Sequence, residues 1–136
     1  MFEIFDHTAD LGIRVAASDV DALFAEAGRA LFAVIVGEGA NLDCRERVEI
    51  RIAGNDREYL LLDWLSELLY LFETRKLLLG QFDVHVDDRG LTAEVRGEPI
   101  DPARHNVEHE VKAITYHGLR IETIDGRWQA EVILDI

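Results

Sequence analysis

The stretch Trp128–Ile136, WQAEVILDI, decides how this chain is built. Successive side chains of a strand point to opposite faces, so Trp128, Ala130, Val132, Leu134 and Ile136 share one face and Gln129, Glu131, Ile133 and Asp135 the other. The first set has the composition of a core. A strand that closes on Ile136 draws the terminal carboxylate toward the body of the protein, where an unpaired anion is costly. Asp135 stands one residue away, so two negative groups crowd one strand end and repel each other unless something positive lies between them. A lysine, a helix N-terminus or a divalent cation would serve. In the opposing reading Asp135 points into water and the terminus frays.

Working outward, Leu119–Ile124 precedes this strand across Asp125-Gly126, a strong hairpin signal. Phe82–Val86 and Leu91–Gly97 form a second predicted hairpin across Asp87–Gly90. Residues 47–53 alternate, with Val48, Ile50 and Ile52 facing one way, as a half-buried strand requires. Residues 2–6 and 11–17 read as two further strands joined through DHTAD. Ser18 followed by Asp21 resembles a capping box before Leu23, Ala27, Ala30, Leu31 and Val34, a helix that should stop at Gly37. Gly54-Asn55-Asp56 introduces a second helix, about 57–76, whose apolar residues cover nearly the whole circumference. Such a helix is central to the core or partly reserved for a partner. These elements predict an α+β fold: a single domain over residues 1–136, with two long helices packed on one face of a mainly antiparallel or mixed sheet. The pairing of the N- and C-terminal strands stays open.

A chain of 136 residues can bury a sizeable core without crosslinks. Its 14 Lys+Arg against 27 Asp+Glu leave a formal charge of −13, which repels phosphate backbones and disfavours direct nucleic-acid binding. That charge favours a basic partner or cations. Cys44 is the only cysteine, so an internal disulfide is excluded and a reducing compartment expected. MFEIFDHTAD lacks a signal pattern, and YLLLDWLSELLYLF is too short, and too interrupted by Asp63 and Glu67, to span a bilayer. The expectation is a soluble cytoplasmic protein with no membrane partner.

Two further stretches carry candidate chemistry. DHTAD places Asp6, His7 and Asp10 together, and oxygen donors on loops beside strand ends suit Ca²⁺, Mg²⁺ or Mn²⁺. Asp and Thr there could equally be turn formers, and His7 a structural histidine. EVKAITYHG brings Lys112 near His117; a lysine on a mixed face could bridge anions or reach a phosphate-bearing ligand, or simply be solvated. No glycine-rich phosphate loop, Gly-x-Ser-x-Gly elbow or zinc spacing occurs, so nothing resembles a self-sufficient catalyst.

DHTADLGIRV, YLLLDWLSELLYLFET, EVKAITYHG and a last strand ending LDI, in that order and spacing, resemble the archease family over essentially the full length. The resemblance implies a non-enzymatic protein cofactor of the GTP-dependent RNA ligase that joins tRNA exon halves. It implies that the protein promotes guanylylation of a ligase histidine, allows multiple turnover and broadens nucleotide use. It also implies a divalent-cation site, calcium first and magnesium or manganese next, made by Asp10, Asp135 and Ile136, the last through its carboxylate. Lys112 matches a functionally important family position near these acids, and His7 and His117 are further candidates for partner contact. The expected partner is a basic RNA-splicing ligase, with GTP at the shared site. Two competing readings are a stand-alone metal-dependent hydrolase using Asp10, Asp135 and His117, and a general chaperone working through helix 57–76.

Overall fold

The structure, a computed structural model, describes residues 1–136. Its elements run β1 (Phe2–His7), β2 (Asp10–Ala17), α1 (Val20–Val36), β3 (Glu46–Ala53), α2 (Arg57–Arg75), β4 (Leu77–Asp87), β5 (Gly90–Pro99), β6 (Ala113–Ile124) and β7 (Arg127–Asp135). Every strand pairing is antiparallel. The α+β class is as the sequence indicates, but the strands divide into two sheets, β1-β2-β7-β6 and β3-β5-β4. Each helix packs against strands of both sheets, on the inner face of each.

The division follows from α1. Twelve of its 17 residues are buried, including Leu23, Phe24, Leu31 and Ile35 with no exposure at all. A helix with so broad an apolar surface needs cover on more than one side, which one sheet cannot supply. The sequence assigned that all-round role to α2. In the structure α2 keeps an exposed stripe of Tyr59, Asp63, Ser66, Tyr70 and Glu73, spaced as one face of a helix. Its leucines and Trp64 face inward, and the Trp64 indole donates to the Phe24 carbonyl at 2.9 Å, tying the two helices together.

Local signals set the helix ends. The cap of α1 is Asp19 rather than Ser18, its carboxylate accepting from the Ala22 N–H at 2.8 Å. The helix stops at Gly37, whose φ of 93° suits a residue without Cβ. Asp56 caps α2 by accepting from Glu58 and Tyr59. No helix is long and apolar enough to cross a membrane.

Strand β7 lies inside its sheet, between β2 and β6. Val132 and Leu134 are fully buried on the inner face, and Ile136 packs half-buried against the core. Strand β6 starts six residues earlier than Leu119, at Ala113, because Ala113–Thr115 pair with the end of β7. Its register then slips between Thr115 and Arg120, and Gly118 adopts a φ of 68°. The segment Tyr116–Leu119 therefore leaves the ladder as a bulge.

Candidate functional site

The outer face of the four-stranded sheet is organised in transverse rows. Opposite residues of an antiparallel pair point to the same side, with Cα atoms about 5 Å apart. A middle row runs Glu3, Arg14, Glu131, Arg120 across β1, β2, β7 and β6. It is an ion ladder: Arg14 contacts Glu3 at 2.6 Å and Glu131 at 3.1 Å, and Arg120 contacts Glu131 at 3.3 Å. The next row is Phe5, Gly12, Ile133, Thr115. The Phe5 ring lies on Gly12 so closely that a Cβ there would be 2.1 Å from it, and the Arg14 guanidinium stacks over the same ring at 4.6 Å.

The outermost row contains the residues singled out from the sequence. His7 is opposite Asp10, and Ala113 is opposite Asp135. Between them, Asp10 and Asp135 occupy the positions one step beyond the Leu11–Leu134 pair, at the same end of neighbouring strands. Acids from the two extremities of the chain are thus drawn together by strand register. Neither makes an ion pair, although acids two rows inward on the same face each have an arginine. Asp10 is half-buried and Asp135 exposed.

The other candidates surround this row. The backbone N–H of Lys112 donates to the Asp135 carbonyl at 2.7 Å, while the lysine side chain is exposed. The β6 bulge carries His117 over the sheet end, where its ring centroid is 5.9 Å from that of His7. The Nδ1 of His7 is buried without a hydrogen-bond partner. Ile136 directly follows Asp135. Asp6, the other acid of DHTAD, is exposed and opposite Leu11, so strand alternation points it away from the Asp10 side chain.

Two carboxylates with no cationic partner suit a hard divalent cation in donor chemistry, since oxygen ligands are what Ca²⁺, Mg²⁺ and Mn²⁺ take. No three His, Cys, Asp or Glu side chains gather closely enough to form such a site by themselves. A full shell would draw on the carboxyl group of Ile136, on water or on a group from outside the chain. The largest concavity, about 570 Å³, is elsewhere, on the outer face of the other sheet among Glu49, Arg51, Asp83, His85 and Glu94.

Sequence reasoning missed the buried acid that anchors the start of the loop leading to Lys112. The loop 100–112 is strapped to the body by Glu98, only 1% exposed, whose carboxylate accepts from Arg104 at 2.7 and 3.1 Å and from the Asp43 N–H. His105 adds Nε2 at 3.6 Å from Glu98, while its Nδ1 accepts from the Asp101 N–H at 2.9 Å. The Arg104 hydrogen bonds above all, then that of Asp43, hold the Glu98 carboxyl down at about 2. No spacing pattern distinguishes Glu98 from the chain's other acids; only its burial does.

Comparison with known proteins adds to this geometry. The model of the Archease protein family matches residues 2–136. Similar curated proteins include the protein archease of Pyrococcus furiosus, 39% identical over 99% of this chain and 98% of its own length. The protein archease of Methanopyrus kandleri is 40% identical over 99% of each. The solution structure of Methanobacterium thermoautotrophicum protein 1598 superposes with a TM-score of 0.87 at 38% identity, covering 99% of this chain and 98% of that one. A crystal structure described as an archease, possible chaperone, from Thermotoga maritima has a TM-score of 0.64 at 20% identity, over 97% and 94%, and bears on the fold alone.

Proposed function

This chain belongs to the archease family, and on that footing we propose that it is an accessory protein that activates a GTP-dependent RNA-splicing ligase. It promotes guanylylation of the ligase's catalytic histidine, lets the ligase turn over repeatedly in tRNA splicing and widens the nucleotides it accepts. It is not itself the catalyst, and it works in the cytoplasm.

The observation that carries this reading is the outermost row, where Asp10 and Asp135 stand at adjoining strand ends and neither makes an ion pair. Asp10, Asp135 and the carboxyl group of Ile136 hold a divalent cation, calcium being the first expectation and magnesium or manganese the next. When bound, such a cation supplies neutralisation of triphosphate charge at the ligase's nucleotide site. The two aspartates fix its position, and Lys112, tied through its backbone to Asp135, contacts a phosphate of GTP or orients the Asp135 carboxylate. His7 and His117 border the row and face the partner. The charge of −13 matches a ligase that must present a basic surface to RNA, and keeps RNA off this protein.

The competing readings find less support. A metal-dependent hydrolase would draw its nucleophile from metal-bound water and its base from His117, beside His7, and turnover without any partner protein is the assay that separates it. A general chaperone would need a continuous exposed apolar face on α2, whereas the exposed stripe of that helix sets Tyr59 and Tyr70 among Asp63, Ser66 and Glu73.

The test is guanylylation of the cognate ligase at limiting GTP and metal. Asp135→Ala, and separately a short extension after Ile136, should each abolish activation while leaving the fold intact. Full activation by both folded variants would remove the mechanism.

A further inference from the structure

All three tyrosines of this chain are exposed, and two of them stack. Tyr59, in the first turn of α2, and Tyr116, in the β6 bulge, have ring centroids 4.8 Å apart and planes within 11°. They are 53% and 44% exposed, so a broad aromatic step faces solvent. Tyr116 directly precedes His117, whose ring lies 5.9 Å from that of His7, so one bulge connects the step with the His7 end of the acid row. The stack is not needed to attach α2 to β6. Glu58 already does so, its carboxylate accepting from the Ile121 N–H at 3.0 Å.

We propose that the Tyr59–Tyr116 step is a docking site for an arginine projecting from the basic surface of the partner ligase. The identity of that partner rests on the reading above; the chemistry of the step does not. Tyrosine is favoured at interfaces because its ring packs while its hydroxyl stays wet, and a guanidinium plane stacks on such a ring with more contact than an ammonium. Anions surround the step: Asp56 and Glu58 precede Tyr59, and Asp63 is one turn along the same exposed stripe. Their field is felt at Tyr116, whose hydroxyl is pushed above its ordinary value first by partial burial, then by Tyr59 and Glu58, with Asp56 adding to it. The chain's own cations stack elsewhere, Arg14 over Phe5, Arg57 over Trp128 and Lys76 over Phe72. Stacked tyrosines also suit nucleic-acid bases, but the local acids and the net charge of −13 oppose an approaching phosphate backbone.

The experiment measures association of the full chain with the ligase for wild type, Tyr59→Ala, Tyr116→Ala, Tyr59→Phe and Tyr59→Arg, with thermal melts to select folded variants. The alanine variants should weaken association about tenfold or more, as loss of a desolvated cation–π contact at an interface does. Tyr59→Phe should stay close to wild type, and Tyr59→Arg, which fills the ring face with its own guanidinium, should lose association. Cation binding at Asp10 and Asp135 should be unchanged in all four. Wild-type association by folded alanine and arginine variants would overturn the proposal. In parallel, the Tyr59 and Tyr116 ring resonances of the wild-type chain are followed by NMR while an arginine-rich peptide, or single-stranded RNA of matched length, is added. Shifts with the peptide support the step even if the chain proves not to bind the ligase, in which case only the ligase reading fails. Shifts with RNA alone would overturn it.

Discussion

Glu131 and Asp135 project from the same face of β7, four residues apart, yet Glu131 has two arginines at 3.1 and 3.3 Å and Asp135 has none. One acid belongs to a completed ion ladder. The other stands beside Asp10 with its charge uncompensated, a contrast that sets the first expectation.

Adding calcium to the isolated protein should raise its melting temperature, because a ligand that binds only the folded state at a hundred times its Kd contributes about 2.7 kcal/mol. Asp10→Asn and Asp135→Asn should lose most of that gain. Without cation they should unfold within about 0.5 kcal/mol of wild type, or slightly above it, since each removes a repulsion at the surface. Glu131→Gln should keep the calcium response. Melts with calcium and with chelator check all three.

Lys112 has separable main-chain and side-chain roles. Lys112→Ala keeps the N–H donated to the Asp135 carbonyl, so the fold should hold within about 0.5 kcal/mol while ligase activation falls. Lys112→Pro removes that donor and should cost roughly 0.5–1.5 kcal/mol in denaturant unfolding. Equal stability of the two variants would show the bond to be dispensable.

Gly12 is required by its neighbour rather than by its backbone. A Cβ would meet the Phe5 ring at 2.1 Å, so Gly12→Ala should destabilise by about 1–3 kcal/mol, as overpacking does. Phe5→Leu in the same chain should recover part of the loss. Urea unfolding of the single and double variants measures the coupling.

Glu98 gives the loop before Lys112 its acid sensitivity. Its carboxyl sits at about 2 in the folded state against an ordinary 4.5, so the unfolded chain binds the extra proton between those values. The stabilisation is complete above about pH 4.5 and is lost as pH falls toward 2. Glu98→Gln should lower the melting temperature at neutral pH, leaving Arg104 without its counter-charge, and should flatten this part of the pH profile. Melting curves between pH 2 and 7 provide the readout.

Much of the architecture was legible because it depends on local chemistry. Alternation at Val48, Ile50 and Ile52 marked β3, Asp125-Gly126 marked the last hairpin, and Gly37 and Asp56 marked helix ends. Each signal involves residues a few positions apart. The start of β6 was not legible, because Ala113–Thr115 are strand only by pairing with Ile133–Asp135. The exposed stripe on α2 was hidden by the density of its leucines, and the burial of α1 depends on a second sheet that no local pattern announces.

The same division runs through the candidate site. The sequence by itself determined the family, the acidic charge, and that Asp10 in the DHTAD connection adjoins one strand while Asp135 stands near the end of another. The tertiary structure alone decided that these acids occupy adjoining strand ends, that Lys112 is tied to Asp135 and that Tyr59 lies on Tyr116. The physical reason is register. A strand's pattern shows which side chains share a face, but which strand lies beside it, and at what offset, follows only when the whole core is buried at once.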